Sequence, residues 1–258
     1  MLNCYIINLD RATERWNMVT GSAGLKDLNI IRVPAVDGST LTPPYPNFSP
    51  WGFFLCHGHR INPNQIACYN SHLKAMRMFL DSGEEYGLIG EDDIAGTDEL
   101  PDVLQKVLRY AEVWDLVRLA GFRQKAYLPF ADLGGGYQLV SDLRCCTSAA
   151  CYLLNRKAAD MFLRHYGTMR VYWDLAMFFS LPYGIREVTV APFPVKLTEK
   201  SKDSQITGSD KFRYPPGSLH RFCFLTVLPY RFVTRNLRRL HRYRWALQRR
   251  FFPPQKEE

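Results

Sequence analysis

Leu88-Ile89-Gly90-Glu91-Asp92-Asp93-Ile94 joins a short apolar run to three consecutive carboxylates. The apolar residues predict a buried strand, which places the acids at the carboxyl end of that strand, where open α/β sheets bind their ligands. Three adjacent acids repel one another, so the arrangement costs stability unless a cation or hydrogen-bond donors lie beside it. Oxygen ligands of this kind favour Mg²⁺ or Mn²⁺ over zinc. Taken alone, the run also fits a solvated acidic turn.

Strands and helices alternate before this stretch. Residues 4–9 predict a first buried strand, and residues 12–18 predict a helix that follows it at once. Residues 30–36 predict a second strand, which ends in the turn Asp37-Gly38. The alternation indicates an α/β fold, and it predicts that Asp37 lies at the same edge of the sheet as Glu91 to Asp93.

The same alternation continues around and after the acidic run. Residues 40–62 contain four prolines and predict a long loop. Apolar residues at helical spacing predict further helices at 64–80, 98–112 and 156–165, while residues 114–119, 147–154 and 188–190 predict strands. Gly134-Gly135-Gly136 lacks the lysine and hydroxyl residue of a phosphate-binding loop, and it predicts a turn between strands.

Three polar residues lie in apolar surroundings. Asp174 is the one carboxylate of the helical run 172–179, and a core-facing acid is costly unless it is paired or used in chemistry. A general base and a structural aspartate that caps a loop both fit this position. His72 lies on the apolar helix, where a satisfied core histidine competes with a functional one. Ser148 belongs to a strand of small residues that allows close approach of a ligand or of another backbone segment.

The cysteines do not suggest a disulfide framework or a zinc finger. There are seven of them, Cys145 and Cys146 are adjacent, and no CxxC pair is present. We therefore expect reduced thiols. One cluster of potential zinc ligands matches no standard finger spacing and is interrupted by Pro63: Cys56, His57, His59, Cys68 and His72.

The excess of positive over negative charge is confined to the C-terminal segment. Residues 211–258 contain 12 Lys and Arg against 2 Asp and Glu, whereas the rest of the chain contains 21 against 23. From residue 229 onward, arginines on one helical face oppose aromatic and aliphatic residues on the other. Such a basic amphipathic helix is typical of a segment that binds a membrane surface, and contact with another chain is the alternative. We expect a catalytic domain over residues 1–210, a helical tail over 211–258 and no nucleic-acid partner.

Six segments together resemble glycosyltransferase family 25, the lipopolysaccharide and lipooligosaccharide biosynthesis enzymes related to bacterial β-galactosyltransferases and collagen galactosyltransferases. Four of them lie in the first part of the chain: YIINLDRATERW (5–16), VPAVDGSTL (33–41), NQIACYNSHLKAM (64–76) and LIGEDDI (88–94). Two more follow: TSAACYLLNRKAADMFL (147–163) and VYWDLAMFF (171–179). The sequence departs from the family pattern at Ala67 and Gly90, where the family more often has glycine and an apolar residue.

The resemblance implies a GT-A-type nucleotide-sugar-binding fold with a mixed, mainly parallel central sheet. It implies an inverting, metal-dependent transfer of a hexose from a UDP-sugar, with galactose as the sugar and glucose or N-acetylhexosamine as alternatives. Mn²⁺ or Mg²⁺ is then the cofactor. Asp93, aided by Asp92, is assigned to the metal and Asp174 to the catalytic base. The residues assigned to the donor are Asn8, Arg11, Arg15, Asp37, Glu91 and Asp92, and His72 and Ser148 are assigned to the acceptor or to structure.

The acceptor implied by the resemblance is a lipooligosaccharide or another glycan. Because lipid A and core phosphates are anionic, the basic tail fits an enzyme on the cytoplasmic face of the inner membrane. The chain begins without a basic leader, and we expect a cytoplasmic protein. Two other classes use clustered carboxylates or a degenerate site: a metal-dependent phosphoesterase, and a non-catalytic scaffold that binds a sugar nucleotide.

Overall fold

The structure is a computed structural model that describes residues 1–57, 61–122, 127–142, 148–178 and 180–198, together with eight residues between 232 and 247. Ten strands lie in this part of the chain: β1 (Asn3–Asn8), β2 (Asn29–Pro34), β3 (Tyr86–Glu91), β4 (Ile94–Gly96), β5 (Leu116–Arg118), β6 (Tyr127–Gly134), β7 (Tyr137–Asp142), β8 (Cys151–Asn155), β9 (Glu187–Ala191) and β10 (Val195–Leu197). Six α-helices lie in residues 1–198: α1 (Thr13–Thr20), α2 (Pro50–His57), α3 (Pro63–Asp81), α4 (Leu100–Leu108), α5 (Arg156–His165) and α6 (Trp173–Phe178).

Eight strands form one mixed sheet in the order β2-β1-β3-β8-β5-β9-β7-β6, and β4 pairs with β10 in a separate two-stranded sheet. Three neighbouring pairs in the large sheet are parallel, and four are antiparallel. The prediction of a mixed sheet is confirmed, but the prediction that it is mainly parallel is wrong. The physical reason is that β7 and β8 run opposite to their neighbours, so each makes antiparallel pairs on both sides.

Helices cover both faces of this sheet, which explains why its central strands are apolar throughout. Successive residues of β1 alternate between the two faces. Tyr5 and Ile7 pack into the core on the side of α3, α5 and α6, whereas Cys4 and Ile6 pack into the core on the side of α4. The expected α/β class is therefore present in the described chain.

The helix α3 begins with a capping box. Asn62 accepts a hydrogen bond from the backbone N–H of Asn64 (2.9 Å), and the Gln65 side chain accepts one from the backbone N–H of Asn62 (3.3 Å). Pro63 occupies the first helical position, where its missing N–H costs nothing. These contacts fix the start of the helix that carries Cys68 and His72 beside the acidic run.

The helix α2 was not predicted. The prolines of residues 40–62 were expected to exclude a regular helix, but Pro50 is the first residue of α2, where proline is favoured because its φ angle already suits a helix. The remaining prolines precede the helix. The capping residue of α1 is Ala12, and no side-chain hydrogen bond caps the start of this helix.

The C-terminal tail is described only in part. Its described residues are all helical: Phe232, Val233, Asn236, Leu237, Leu240, Tyr243, Arg244 and Leu247. Five apolar side chains among them are exposed by 45–61%. The boundary at residue 210 and the role of the tail stay predictions, because most of the segment lies outside the described residues. None of the described helices is long and apolar enough to cross a membrane.

A buried ion pair links the neighbouring strands β5 and β9. Arg118 is 1% exposed and donates a short hydrogen bond to Glu187 from the neighbouring parallel strand. The same guanidinium donates to the backbone oxygen of Ser148 and, at 3.2 Å, to that of Asp174. Arg118 therefore ties the sheet to the segments that begin β8 and α6.

Replacing Glu187 with Gln is expected to lower the free energy of unfolding by about 3 kcal/mol, since removing one charge of a buried pair leaves the other uncompensated. Urea unfolding followed by circular dichroism measures the change. Asp102→Asn is the matched control: it breaks the exposed pair between Asp102 and Lys106 on α4, which is expected to cost less than about 1 kcal/mol. Equal losses in the two variants would contradict the structural role of the Arg118 pair.

Candidate functional site

A pocket opens at the carboxyl ends of β1, β2 and β3. These three strands are parallel neighbours, so their ends meet at one edge of the sheet, and α3 closes the other wall. The residues that line the pocket come from these strand ends, from the start of α1 and from α3: Ile7, Leu9, Arg11, Arg15, Ala35, Val36, Asp37, Gly38, Asn64, Ala67, Cys68, Ser71, His72, Glu91, Asp92 and Asp93. The structure thus brings Asp37 and the acidic run together, as predicted.

Asp92 is the buried anchor of the acidic run. Asn8 donates to one of its carboxylate oxygens at 2.7 Å, and Arg15 donates to the other at 2.8 Å. Asn8 is only 1% exposed and in turn accepts two hydrogen bonds from Arg32, at 2.9 and 2.8 Å. Burial raises the pKa of Asp92, although Asn8 and Arg15 oppose that shift. Asn8 does not line the pocket; it supports Asp92 from behind.

Asp93 carries a carboxylate oxygen that has no protein partner. Its Oδ1 is buried and makes no hydrogen bond, while its Oδ2 lies 3.6 Å from Arg15. Burial, followed by the charge of Glu91, raises the pKa of Asp93 from 3.8 to about 7. A buried carboxylate oxygen without a donor is costly, and a divalent cation bound at that oxygen would relieve the cost.

Glu91 lies against a histidine whose ring is held on both sides. His72 is fully buried, its Nε2 lies 3.4 Å from Glu91 Oε1, and its Nδ1 lies 3.0 Å from the hydroxyl of Tyr152. The ring stacks on Trp173 with a centroid distance of 5.2 Å and an interplanar angle of 8°. Cys68, one helical turn earlier, completes the group. Burial, followed by the charge of Glu91, raises the pKa of its thiol well above the ordinary value.

Two arginines supply positive charge in the pocket. Arg11 forms an ion pair with Asp37, and its side chain is 52% exposed. Asp37 also caps the short 3-10 helix Gly38–Thr40 by accepting hydrogen bonds from Ser39. With Arg15 beside Asp92 and Asp93, the pocket presents guanidinium groups next to carboxylates. Such a combination can bind an anionic group together with a cation.

Besides Asn8, two assigned residues lie outside the pocket wall. Asp174 is in the first turn of α6, and its Oδ1 accepts a hydrogen bond from the backbone N–H of Leu175 (2.8 Å). Burial raises its pKa, Arg118 opposes the shift, and the charge of Glu91 adds to it. Asp174 therefore interacts electrostatically with Glu91 of the acidic run. Ser148 accepts a hydrogen bond from the backbone N–H of Ala150 (3.1 Å) and supports the start of β8.

Sequence reasoning missed several residues that shape this site. Tyr152 and Trp173 orient His72, Arg32 holds Asn8, and the Ser71 hydroxyl accepts a hydrogen bond from the backbone N–H of Val36 (2.9 Å). One signal was available, because Cys68, His72 and the pocket-lining Ser71 lie on one side of a helix at spacings of three and four. The contacts that Tyr152 of β8 and Trp173 of α6 make with His72 have no comparable spacing pattern in the sequence.

Comparison with known proteins finds a matching family. Residues 1–177 match the model of a family described as "Glycosyltransferase family 25 (LPS biosynthesis protein)", which confirms the resemblance in the sequence motifs. A comparison with curated proteins gave no match. Among solved structures, A197 from STIV is 14% identical, with 73% of this chain and 81% of that chain covered at a TM-score of 0.38. The inositol-1-phosphate CTP transferase from T. maritima is 8% identical, with 88% and 96% covered at a TM-score of 0.38.

The raised pKa of Asp93 predicts a pH-dependent stability. A folded-state pKa of about 7, against 3.8 for the ordinary group, means that the folded protein holds this proton more tightly than the unfolded chain does. Its stabilising effect is present below pH 4 and is lost as the pH rises to 7. In EDTA, the unfolding free energy of the wild type should therefore fall relative to that of Asp93→Asn as the pH rises over that interval. The decrease is expected to reach up to about 1.4 kcal/mol per pH unit. Urea unfolding at each pH measures it, and a difference that does not vary with pH would contradict this placement of Asp93.

Proposed function

The chain belongs to glycosyltransferase family 25, and we propose that it transfers a hexose from a UDP-sugar to a lipooligosaccharide or lipopolysaccharide glycan with inversion at the anomeric carbon. The observation that carries the proposal is the pocket at the ends of parallel strands, which Arg11 and Arg15 line together with the acidic run. A UDP-sugar presents a diphosphate, which suits such a mixed wall. The proposal includes a GT-A-type fold and galactose as the sugar.

The donor occupies the strand-end pocket in this proposal. Arg11 is more than half exposed and forms an ion pair with Asp37. In this proposal its guanidinium binds a phosphate of the donor through two N–H groups. Asp37 and Glu91 then accept hydrogen bonds from hydroxyl groups of the donor. Arg15 and Asp92 line the pocket, and Asn8 contributes from behind it. The hydrogen bonds that Asn8 and Arg15 donate to Asp92 hold the acidic run in place.

Asp93 is the residue that best fits the implied Mn²⁺ or Mg²⁺. Its Oδ1 is buried without a hydrogen-bond partner. Burial and the charge of Glu91 raise the pKa of Asp93 even though Arg15 opposes the shift, and a cation at Oδ1 would offset both causes. Both oxygens of Asp92 accept from Asn8 and Arg15, so Asp92 serves as a metal ligand only by sharing an oxygen. When bound, the cation neutralises charge that develops on the diphosphate leaving group.

Asp174 is proposed as the base that accepts the proton of the acceptor hydroxyl. That hydroxyl oxygen bonds to the anomeric carbon from the face opposite the diphosphate, the bond to UDP breaks, and the proton passes to the carboxylate. Burial raises the pKa of Asp174, which makes the carboxylate a stronger base than an exposed aspartate. Asp174 lies in the first turn of α6, and its backbone oxygen accepts a hydrogen bond from Arg118, which holds this turn in place.

A donor screen tests the activity. The full chain is incubated with UDP-galactose, UDP-glucose and UDP-N-acetylhexosamines, with and without Mn²⁺, and released UDP is measured. Transfer or slow hydrolysis of UDP-galactose that stops in EDTA is the expected result. Cleavage of phosphate esters instead would indicate a phosphoesterase, and binding without turnover would indicate a scaffold. Full activity in EDTA would remove the metal from the proposal.

The same assay separates the two carboxylate roles. Asp174→Asn is expected to lower kcat by about 100-fold or more, the usual contribution of a positioned base, while UDP binding is unchanged. Asp160→Asn on the exposed face of α5 is the control, since it removes a carboxylate that only pairs with Arg164. Loss of UDP binding in Asp174→Asn would instead assign this residue to the donor.

The tail is proposed to hold the enzyme on the cytoplasmic face of the inner membrane. Phe232, Leu237 and Leu240 are helical and more than half exposed, and the segment carries an excess of ten positive charges. Apolar side chains that insert at the headgroup level, combined with arginines that meet anionic lipid, suit such a surface.

Deletion of the residues after Pro229 is expected to release the protein from anionic vesicles in a sedimentation assay. The double variant Leu237→Ser and Leu240→Ser, which keeps every charge, is expected to weaken sedimentation as well, because it removes apolar side chains that insert into the lipid. Binding of the wild type to zwitterionic vesicles is the reference for the electrostatic part. Sedimentation of the deletion variant equal to that of the wild type would rule out the membrane role.

A further inference from the structure

The pocket contains a second set of potential metal ligands, which differs in chemistry from Asp93. Cys68 and His72 lie one helical turn apart on α3, and Glu91 is the last residue of β3. Their ligand atoms all lie within 4.8 Å of one another. Within the described part of the chain, this is the one group of three His, Cys, Asp or Glu side chains whose ligand atoms are this close together.

The histidine of this group is oriented as a metal ligand would be. Its Nδ1 lies 3.0 Å from the Tyr152 hydroxyl and its ring stacks on Trp173, so its Nε2 faces Glu91 at 3.4 Å. With zinc bonds of about 2.0–2.3 Å, two ligand atoms of a tetrahedral site are roughly 3.3–3.8 Å apart. The His72–Glu91 pair already has this separation. Cys68 Sγ reaches the same geometry with a shift of about 1 Å, since it lies within 4.8 Å of both atoms.

The ligand types select the metal. A thiolate, an imidazole and a carboxylate suit zinc, whereas Mg²⁺ and Mn²⁺ prefer oxygen ligands such as Asp93. A Zn²⁺ ion with one thiolate and one carboxylate forms an electrically neutral group, which can be buried without an unpaired charge. When Nε2 binds metal, Nδ1 keeps its proton and donates a hydrogen bond to the Tyr152 hydroxyl oxygen, which is the usual role of an outer partner of a ligating histidine.

We propose that Cys68, His72 and Glu91 bind a Zn²⁺ ion in the strand-end pocket. All three residues line the pocket, so the fourth position of the ion is open to water or to a ligand that enters there. The site stands independently of sugar transfer, because it requires only these three side chains and their supports. An ion at this site would withdraw Glu91 from any donor in the pocket.

Cobalt is the probe for this site, because Co²⁺ replaces zinc in tetrahedral sites and gives a charge-transfer absorption band when a thiolate binds it. The full chain, without added histidines, is titrated with Co²⁺, and bound Co²⁺ is then displaced with Zn²⁺ to obtain the zinc affinity. The expected results are a thiolate-to-cobalt band in the wild type and its loss in Cys68→Ser. Cys56→Ser on α2 is the matched control and is expected to keep the band.

Two further variants keep the test decisive if Cys68→Ser fails to fold, which circular dichroism detects. Tyr152→Phe is expected to weaken zinc binding about 10–100-fold, because it removes the outer partner of His72. Glu91→Gln removes a direct ligand with a partly exposed side chain and is expected to weaken it at least as much. Absence of the band in the wild type, its loss in Cys56→Ser, or unchanged zinc affinity in both Tyr152→Phe and Glu91→Gln would overturn the site.

Discussion

The contact on which the site depends is the pair of hydrogen bonds that Asn8 and Arg15 donate to Asp92. Three adjacent carboxylates would separate if each were free to reach water, because like charges repel. Anchoring the middle one from β1 and α1 fixes the backbone on both sides of it. Glu91 is then directed toward His72, and Asp93 is left with a buried oxygen that has no donor.

Much of the fold could be predicted from the sequence, because its signals are local. The apolar runs that form β1, β2 and β3, and the spacing and cap of α3, all lie within short windows. The direction of β8 could not be predicted, since a fully buried strand has the same composition whether it pairs parallel or antiparallel with its neighbours. The helix α2 was missed for a different reason: Pro50 was interpreted as a helix breaker, although it begins the helix.

The position of the site could be predicted, but the different roles of its neighbouring carboxylates could not. Strand ends and an acid-rich turn placed Asp37 and the acidic run at one edge, and the pocket contains them. The difference between Asp92 and Asp93 depends on Asn8 and Arg15, which are more than 75 positions away in the chain. The ligand set of Cys68, His72 and Glu91 was missed because its third member comes from a strand, whereas zinc-finger spacing considers only nearby cysteines and histidines.

Manganese binding tests the role of Asp93 most directly. Water-proton relaxation reports Mn²⁺ bound to the protein in the presence of UDP, without requiring an acceptor or turnover. If the unpartnered oxygen of Asp93 holds the cation, the wild type binds Mn²⁺ and Asp93→Asn binds it at least about tenfold more weakly, since loss of even an outer-shell partner has an effect of that size. Equal Mn²⁺ affinity in the wild type and Asp93→Asn would contradict the assignment.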